Sequence, residues 1–553
     1  MAFGTSGLRG LVTDITDLEA YINVQGFLEY LSGIGELKQG ESVCIGGDLR
    51  PSTNGPDRSI MRAVGRAIDQ MELKIENLGT LPTPALMFHA MLKGRPSVMV
   101  TGSHIPFDRN GIKFNKKSGE LLKADEPGVL EAVARVRHAE YSRPESESLF
   151  GQDGMFKATA ARPLPRVNDE ARRRYLRRYI DFFPPRVLEG RKIVVFEHSA
   201  VGRDLLAELL QSLGAQVVPV GRCEQFVAID TENVTAEQLR ELQEMVDEVR
   251  REHASIDAVL STDGDSDRPL MLGIEPDGTL RFIGGDLLGI LVADYLAADS
   301  VSIPISANDA VDIHFTAKGV QPTKTRIGSP YVIEAMTAAT SQGQHHVVGW
   351  EANGGFMTGS PITKGAKGGR TLAALPTRDA CLPLLAPLHA AIERQGSLVE
   401  LFAGLPSRFS KAGLIDEFPV KTSRAVIQRY AGVDDRVYDV MFEGDSIILH
   451  FKDGQTAPAS KSAAGAYRTM QNELSACFNK EAGFDDIVRI NTIDGVRILF
   501  SNADIAHVRP SGNAPQLRIY AVADTQQRAD QIVHMGVTEP DGLLRKLEST
   551  VSC

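Results

Sequence analysis

Short apolar, β-branched runs recur between residues 42 and 349, and each leads into a polar loop rich in Gly or Asp. SVCIGG (42–47) precedes DLRPS, PSVMV (96–100) precedes TGSHIP, and KIVVF (192–196) precedes EHSAVG. The pattern then turns amphipathic over RDLLAELLQSLGA (203–215), which predicts a helix, and returns to a strand in QVVPV (216–220). DAVLS (257–261) precedes TDGDSDR, and HHVVG (345–349) precedes WEANGG. Strand, polar loop, helix, strand is the rhythm of βαβ units. The nearly unbroken apolar strands predict sheets covered on both faces. In such sheets ligands bind beyond the carboxyl ends of strands, where these loops fall.

Residues 138–170 are polar with little periodicity and predict a linker or a decorated surface segment. FIGGD (282–286) opens an apolar helix, GDLLGILVADYL. LPSRF (405–409) marks a change: beyond it VYDVMFEGDSIILHFKDG and DGVRILFSNADIAHVRP alternate as antiparallel hairpins do. The fold expected is α/β, with three α/β domains over 1–165, 166–283 and 284–404 and a C-terminal α+β domain over 405–553. A length of 553 residues fits three or four domains of about 150 residues each.

Composition narrows the chemistry. Apolar residues at 42% and charged residues at 24% are ordinary for a soluble globular chain. A net charge of −11 argues against nucleic acid as the main partner, because phosphate backbones need a cationic surface. A small anionic ligand needs only a local cluster. No apolar run approaches about 18 residues, so no membrane partner is expected, and the first residues lack a signal pattern. Five cysteines at 44, 223, 381, 477 and 553, with no CxxC spacing, read as reduced thiols of a cytoplasmic protein.

TDGDSDR places Asp263, Asp265 and Asp267 within five residues. Unpaired, these carboxylates repel; a hard divalent cation removes that cost, and Mg²⁺ is the common choice beside phosphate. An EF-hand loop also begins Asp-x-Asp-x-Asp, but its required Gly and Glu are here Arg268 and Ile274. VTGSHIPFDRNGIKF (100–114) sets Ser103 just after a strand, beside His104 and ten residues before Lys113. The serine suits either a nucleophile or a capping turn; it is not a G-x-S-x-G elbow, and the chain has no Walker A pattern. FGTSGLRG (3–10), with Arg9, and RPSGNAP (509–515), with Arg509, Ser511, Gly512 and Asn513, read as small-residue loops with one arginine each. A glycine turn with a guanidinium suits phosphate, although a hairpin turn explains the second loop equally. In GWEANGG (349–355), Glu351 and Asn353 offer a carboxylate and an amide to sugar hydroxyls, and turn chemistry explains it as well. Trp350 reads as packing.

Together and in this order, these loops resemble the α-D-phosphohexomutase family of phosphoglucomutases, phosphomannomutases and phosphoglucosamine mutases. The resemblance runs over nearly the whole chain: GTSGLRG to an arginine loop, TGSHIP to T-A-S-H-N-P, DGDSDR to D-G-D-x-D-R, 349–355 partly to G-E-x-S-G-H, and RPSGNAP to R-P-S-G-T-E-P. It implies three similar α/β domains with mixed sheets and a C-terminal α+β domain around a central cleft. Those domains would carry the phosphoserine, the metal, the sugar and the phosphate loops in turn. It further implies interconversion of hexose 6-phosphate and hexose 1-phosphate, mannose phosphate first, through a phosphoserine and a hexose 1,6-bisphosphate. Ser103 would carry the phosphoryl group. Asp263, Asp265 and Asp267, with Ser103, would hold Mg²⁺, and a hexose 1,6-bisphosphate would act as activator. Arg9 and Arg268 would stabilise the transferring group. Lys113, given a lowered pKa, or His104 would move the hydroxyl proton. Glu351, Asn353, Gly328, Arg509, Ser511, Gly512 and Asn513 form the implied substrate-binding set, for a small hexose phosphate bound by a monomer or homodimer.

The chain departs from the commoner motifs at Gly102 and Ile105, at Asn353 and Gly355, and at Asn513 and Ala514. It is also about 90 residues longer than many bacterial members. Alternatives are a phosphoglucomutase or phosphoglucosamine mutase of the same mechanism, a phosphatase, or a lapsed sugar-phosphate-binding protein.

Overall fold

The computed structural model describes residues 2–4 as backbone and 7–551 apart from 57, 161, 233, 254, 366–368, 432 and 512–514. The chain divides into two compact units: residues 1–302 with 328–404, and residues 303–327 with 405–553.

The first unit holds three mixed sheets with one recurring plan. In the first, Lys74–Thr80, Ser42–Gly47 and Ser97–Val100 run parallel, and Arg109–Lys116 returns antiparallel beside Ser97–Val100. In the second, Gln216–Val220, Lys192–Phe196 and Ala258–Thr262 run parallel, and Pro269–Ile274 returns antiparallel beside Ala258–Thr262. In the third, residues 300–302 run parallel to Val347–Trp350, and Phe356–Thr358 returns antiparallel. The three loops singled out in the sequence therefore occupy one topological position. Each leaves the last parallel strand and turns into the first antiparallel one. Their strands are buried along their length, as expected for sheets covered by helices. Helix Asp17–Gly33 packs Phe27 on Phe114 of the first sheet.

Two expectations are corrected. GTSGLRG is not a free loop: Ala2–Gly4 and Gly7–Leu11 form an antiparallel pair, and Gly7–Leu11 lies against Arg109–Lys116. Gly7, at φ +143°, approaches so closely that a Cβ would meet the Ile112 carbonyl oxygen at 2.0 Å. The glycines that read as loop signals here allow close strand pairing. Residues 138–170 are not a plain linker. Helix Glu126–Tyr141 extends into them, and Phe150 is buried between Tyr21 and Phe156. Polar composition concealed these few apolar anchors.

The second unit is an eight-stranded antiparallel sheet. It runs Phe409–Ile415, Leu517–Ala523, Ile505–Pro510, Val496–Phe500, Ile487–Asn491, Val437–Glu443, Ser446–Phe451 and Thr456–Pro458. Its core joins Ile498, Ile519 and Val508 to helix residues Val426, Leu474 and Ile532.

Candidate active site

Ser103 is the third residue past its strand, with φ +54°, a left-handed conformation uncommon for a non-glycine residue. The loop is braced. Ser103 N donates to Thr101 Oγ1 at 2.8 Å, and that hydroxyl donates to Asp48 Oδ2 at 2.8 Å. Arg50, fully buried and paired with Asp48 at 3.2 Å, donates to the carbonyls of Ser103, Pro106 and Arg109 at 3.0, 2.6 and 2.9 Å. A Cβ on Gly102 would lie 2.6 Å from Arg50 Cζ. The departure at Gly102 thus makes room for the arginine that holds the loop.

Asp263, Asp265 and Asp267 are buried, and one oxygen from each lies within 4.8 Å of the others. Ser103 Oγ donates to Asp263 Oδ2 at 2.7 Å. The other Asp263 oxygen accepts from the backbone N–H groups of Asp267 and Arg268 at 3.1 and 3.2 Å. Lys113 Nζ donates to Asp265 Oδ2 at 2.6 Å and to Asp267 Oδ2 at 2.9 Å. Burial and the two neighbouring carboxylates push the Asp263 carboxyl well above its ordinary range. Burial also opposes charge on Asp267, but Arg378, Lys113 and Arg268 outweigh it and hold that group ionised. Asp265 Oδ1 and Asp267 Oδ1 are buried without a hydrogen-bond partner. Buried, unsatisfied carboxylate oxygens beside a third carboxylate are the donor set a hard divalent cation takes, so the residues fit such an ion.

Lys113 differs from expectation. Burial alone would lower its pKa, but Asp265 and Asp267 reverse the effect and raise it. Its ammonium is a charge partner of the acidic loop here. His104 is the opposite case. The positive charge of Arg268, then burial, then Arg9 push its imidazole down to about 2, and its Nδ1 lies 3.4 Å from Ser103 Oγ.

Arg9, on the strand Gly7–Leu11, has its pKa lowered by burial and by the neighbouring charges of Arg268 and Arg378. Arg268 Nε lies 3.6 Å from Asp267. The sequence reading did not single out Arg378. This side chain, from strand Leu375–Asp379, donates to Asp267 Oδ2 at 3.2 Å and to Glu351 Oε2 at 2.8 Å. It links the acidic loop to the sugar-loop glutamate. A Cβ on Gly355 would lie 2.7 Å from Arg378 Cδ, so the departure at Gly355 also makes room for an arginine. Two buried guanidiniums, Arg268 and Arg378, and the half-buried Arg9 act on one another closely enough to favour an anion among them.

Asn353 is turned into its own loop: Oδ1 accepts from Gly355 N at 2.9 Å. Gly328, at φ +130°, caps helix Ser329–Ser341, and Ser329 Oγ accepts from Arg378 at 3.3 Å. Trp350 is packing, stacked on Phe356 at 5.7 Å with its Nε1 donating to Asp286. In the second unit, Arg509 Nε donates to Asp494 Oδ1 at 3.1 Å. Ser511 follows the strand Ile505–Pro510; Gly512, Asn513 and Ala514 lie outside the described residues.

A serine of left-handed backbone against a buried carboxylate triad, with arginines on the same sheet ends, defines the class: a multidomain α/β enzyme of phosphoryl transfer. Comparisons with known proteins agree. Profiles of phosphoglucomutase/phosphomannomutase alpha/beta/alpha domains I, II and III match residues 1–140, 174–274 and 284–409, and that of the C-terminal domain matches 451–538. The chain is 36% identical over 535 residues to a phosphomannomutase of Sinorhizobium fredii, covering 97% of this chain and 98% of the relative. It is 35% identical over 531 residues to a phosphomannomutase of Salmonella muenchen, covering 96% and 94%. A solved phosphoglucomutase/phosphomannomutase family protein from Burkholderia thailandensis shares the fold, with TM-score 0.63, 17% identity and coverage of 99% and 97%. The chain belongs to the phosphoglucomutase/phosphomannomutase family. Among the described residues no helix is long and apolar enough to cross a membrane.

Proposed function

We propose that the protein interconverts hexose 6-phosphate and hexose 1-phosphate, mannose phosphate first, with Ser103 as phosphoryl carrier. The observation that carries this reading is the 2.7 Å contact of Ser103 Oγ with Asp263 inside the buried carboxylate triad. The near-full-length likeness to phosphomannomutases supports the choice of sugar.

In the forward step the phosphorus–oxygen bond to Ser103 breaks as a new one forms to the free sugar hydroxyl. The hydroxyl proton leaves to His104, whose imidazole is held neutral beside Ser103 Oγ, or to Lys113 once that ammonium, paired here with Asp265 and Asp267, has given up its own proton, and it passes on to the serine oxygen as that oxygen is freed. The reverse transfer, from the opposite end of the hexose 1,6-bisphosphate, restores phosphoserine. Arg9, Arg268 and Arg378 lie where charge spreads over the moving group, and preorganised cations lower such barriers without reorganising at the moment of reaction. Glu351 binds ring hydroxyls. Arg509 and Ser511, with Gly512 and Asn513, bind the non-reacting phosphate. Mg²⁺ is the ion we assign to Asp263, Asp265, Asp267 and the Ser103 oxygen; bound there, it supplies positive charge that offsets the phosphoryl oxygens. A trace of hexose 1,6-bisphosphate primes the serine.

The test is a coupled mutase assay with Mg²⁺ and a trace of glucose 1,6-bisphosphate, on mannose and glucose phosphates in both directions. Conversion to the isomer without release of inorganic phosphate is the expected result. Steady phosphate release would make the protein a phosphatase. Binding without any conversion would make it a lapsed sugar-phosphate binder.

A further inference from the structure

Residues 223–232 form a strap that touches the acidic loop, the sugar loop and the arginine that braces the serine loop. At its start, Arg203 Nη1 donates to the Cys223 carbonyl at 2.9 Å. The Phe226 ring lies 3.7 Å from the guanidinium of Arg50, the brace of the serine loop. The same ring covers the acidic loop so closely that a Cβ on Gly264 would meet it at 2.7 Å. Val227 N donates to Ser199 Oγ at 2.7 Å. At the far end, buried Thr231 Oγ1 donates to the Asn353 carbonyl at 2.9 Å, fastening the strap to the sugar loop.

The next residue is Glu232. It is exposed, and the charges that act on it are Arg268 and Glu351 of the site, Asp230 of the strap itself and Asp286, the partner of Trp350. Partial loss of water beside the site, opposed by Arg268 and reinforced by Asp230, Glu351 and Asp286, pushes its carboxyl up to about 7. A second carboxylate facing Glu351 is costly unless something between them donates hydrogen bonds. Sugar hydroxyls do so, and they also accept from whichever carboxyl is protonated.

We propose that Glu232 contacts the substrate: its carboxylate takes a hydrogen bond from a hexose hydroxyl held between it and Glu351, and so helps set which hexose phosphate is preferred. This rests on the hexose-phosphate reading above and adds a selectivity residue to it. Because Thr231 ties the strap to the sugar loop, Glu232 is held in register with Glu351 rather than swinging freely.

The experiment compares wild type, Glu232→Ala and Glu232→Gln. It measures calorimetric affinity for mannose 1-phosphate and glucose 1-phosphate, kcat/KM for both, and thermal melting. The Ala variant is expected to bind the preferred sugar about tenfold or more weakly and to change the mannose-to-glucose ratio at least threefold, with melting unchanged. The Gln variant, whose amide oxygen still accepts, should recover part of the affinity. Affinities and ratio equal to wild type in both variants would overturn the proposal. Because affinity is read directly, binding without conversion in wild type would contradict the mutase reading while still testing Glu232. No binding of either sugar phosphate would overturn both.

Discussion

Arg378 and Asp267 are joined by a guanidinium–carboxylate contact of 3.1 Å, and the same arginine reaches Glu351 at 2.8 Å. One side chain thus ties the acidic loop of the second sheet to the sugar loop of the third. Charge-assisted hydrogen bonds of this kind contribute about 1.5–3 kcal/mol each. Arg378→Ala should therefore lower kcat/KM about 10–100-fold for mannose and glucose phosphates alike. Arg378→Lys should recover little, because a point charge cannot span both carboxylates. Steady-state kinetics on the two variants, beside a circular dichroism melt, checks this.

The acidic loop makes its own prediction. Asp265→Asn and Asp267→Asn each remove a negative oxygen from the triad, so both should weaken Mg²⁺ binding at least tenfold by calorimetry. EDTA should abolish activity reversibly. Undiminished turnover in EDTA would exclude a metal from the reaction.

Arg509 is held by Asp494 in the second unit. Arg509→Ala should raise the substrate KM about 10–100-fold, the equivalent of about 1.5–3 kcal/mol. Arg509→Lys should recover part of it. Equal KM across the three proteins would move the phosphate elsewhere.

Two buried histidines predict an acid-sensitive fold. Burial lowers His198 and His507 to about 4, against about 6.5 in an unfolded chain. Both are neutral in the folded state. The unfolded chain gains protons that the fold refuses as pH falls from about 6.5 to about 4, so stability is lost across that window, by up to about 3 kcal/mol per histidine. His507 Nε2 must donate to the Asp494 carbonyl, 2.6 Å away. His507→Gln keeps a donor there and should flatten the acid limb of a urea-denaturation series between pH 7 and 4. An unchanged limb would assign the acid sensitivity to other groups.

Much of this architecture was legible because its signals are local. SVCIGG, KIVVF and QVVPV are strands over the same residues in sequence and structure. TGSHIP, TDGDSDR and EANGG lie beyond strands as expected, since apolar runs and loop composition are read within a few residues. What escaped depends on distance along the chain. Arg378 lies 111 positions from Asp267 in an unremarkable strand. Arg50 reaches the serine loop from 53 positions away, and only that contact explains Gly102. The proton-moving role of Lys113 requires a lowered pKa, which burial alone would give. Two carboxylates more than 150 positions away reverse the sign. Thr231 reaches Asn353 across 122 positions, so the strap that carries Glu232 left no mark in its own composition.

The central claim is that Ser103 carries the phosphoryl group. Wild type and Ser103→Ala, each incubated with Mg²⁺ and glucose 1,6-bisphosphate labelled in its phosphates, are examined by intact mass and peptide mapping, then chased with unlabelled mannose 1-phosphate. One labelled phosphate on Ser103 of wild type, passing to the sugar in the chase, and none on the variant, whose turnover falls by several orders of magnitude, is the predicted result. Near-normal mutase activity in Ser103→Ala, or label on another residue that passes to sugar equally well, would contradict it.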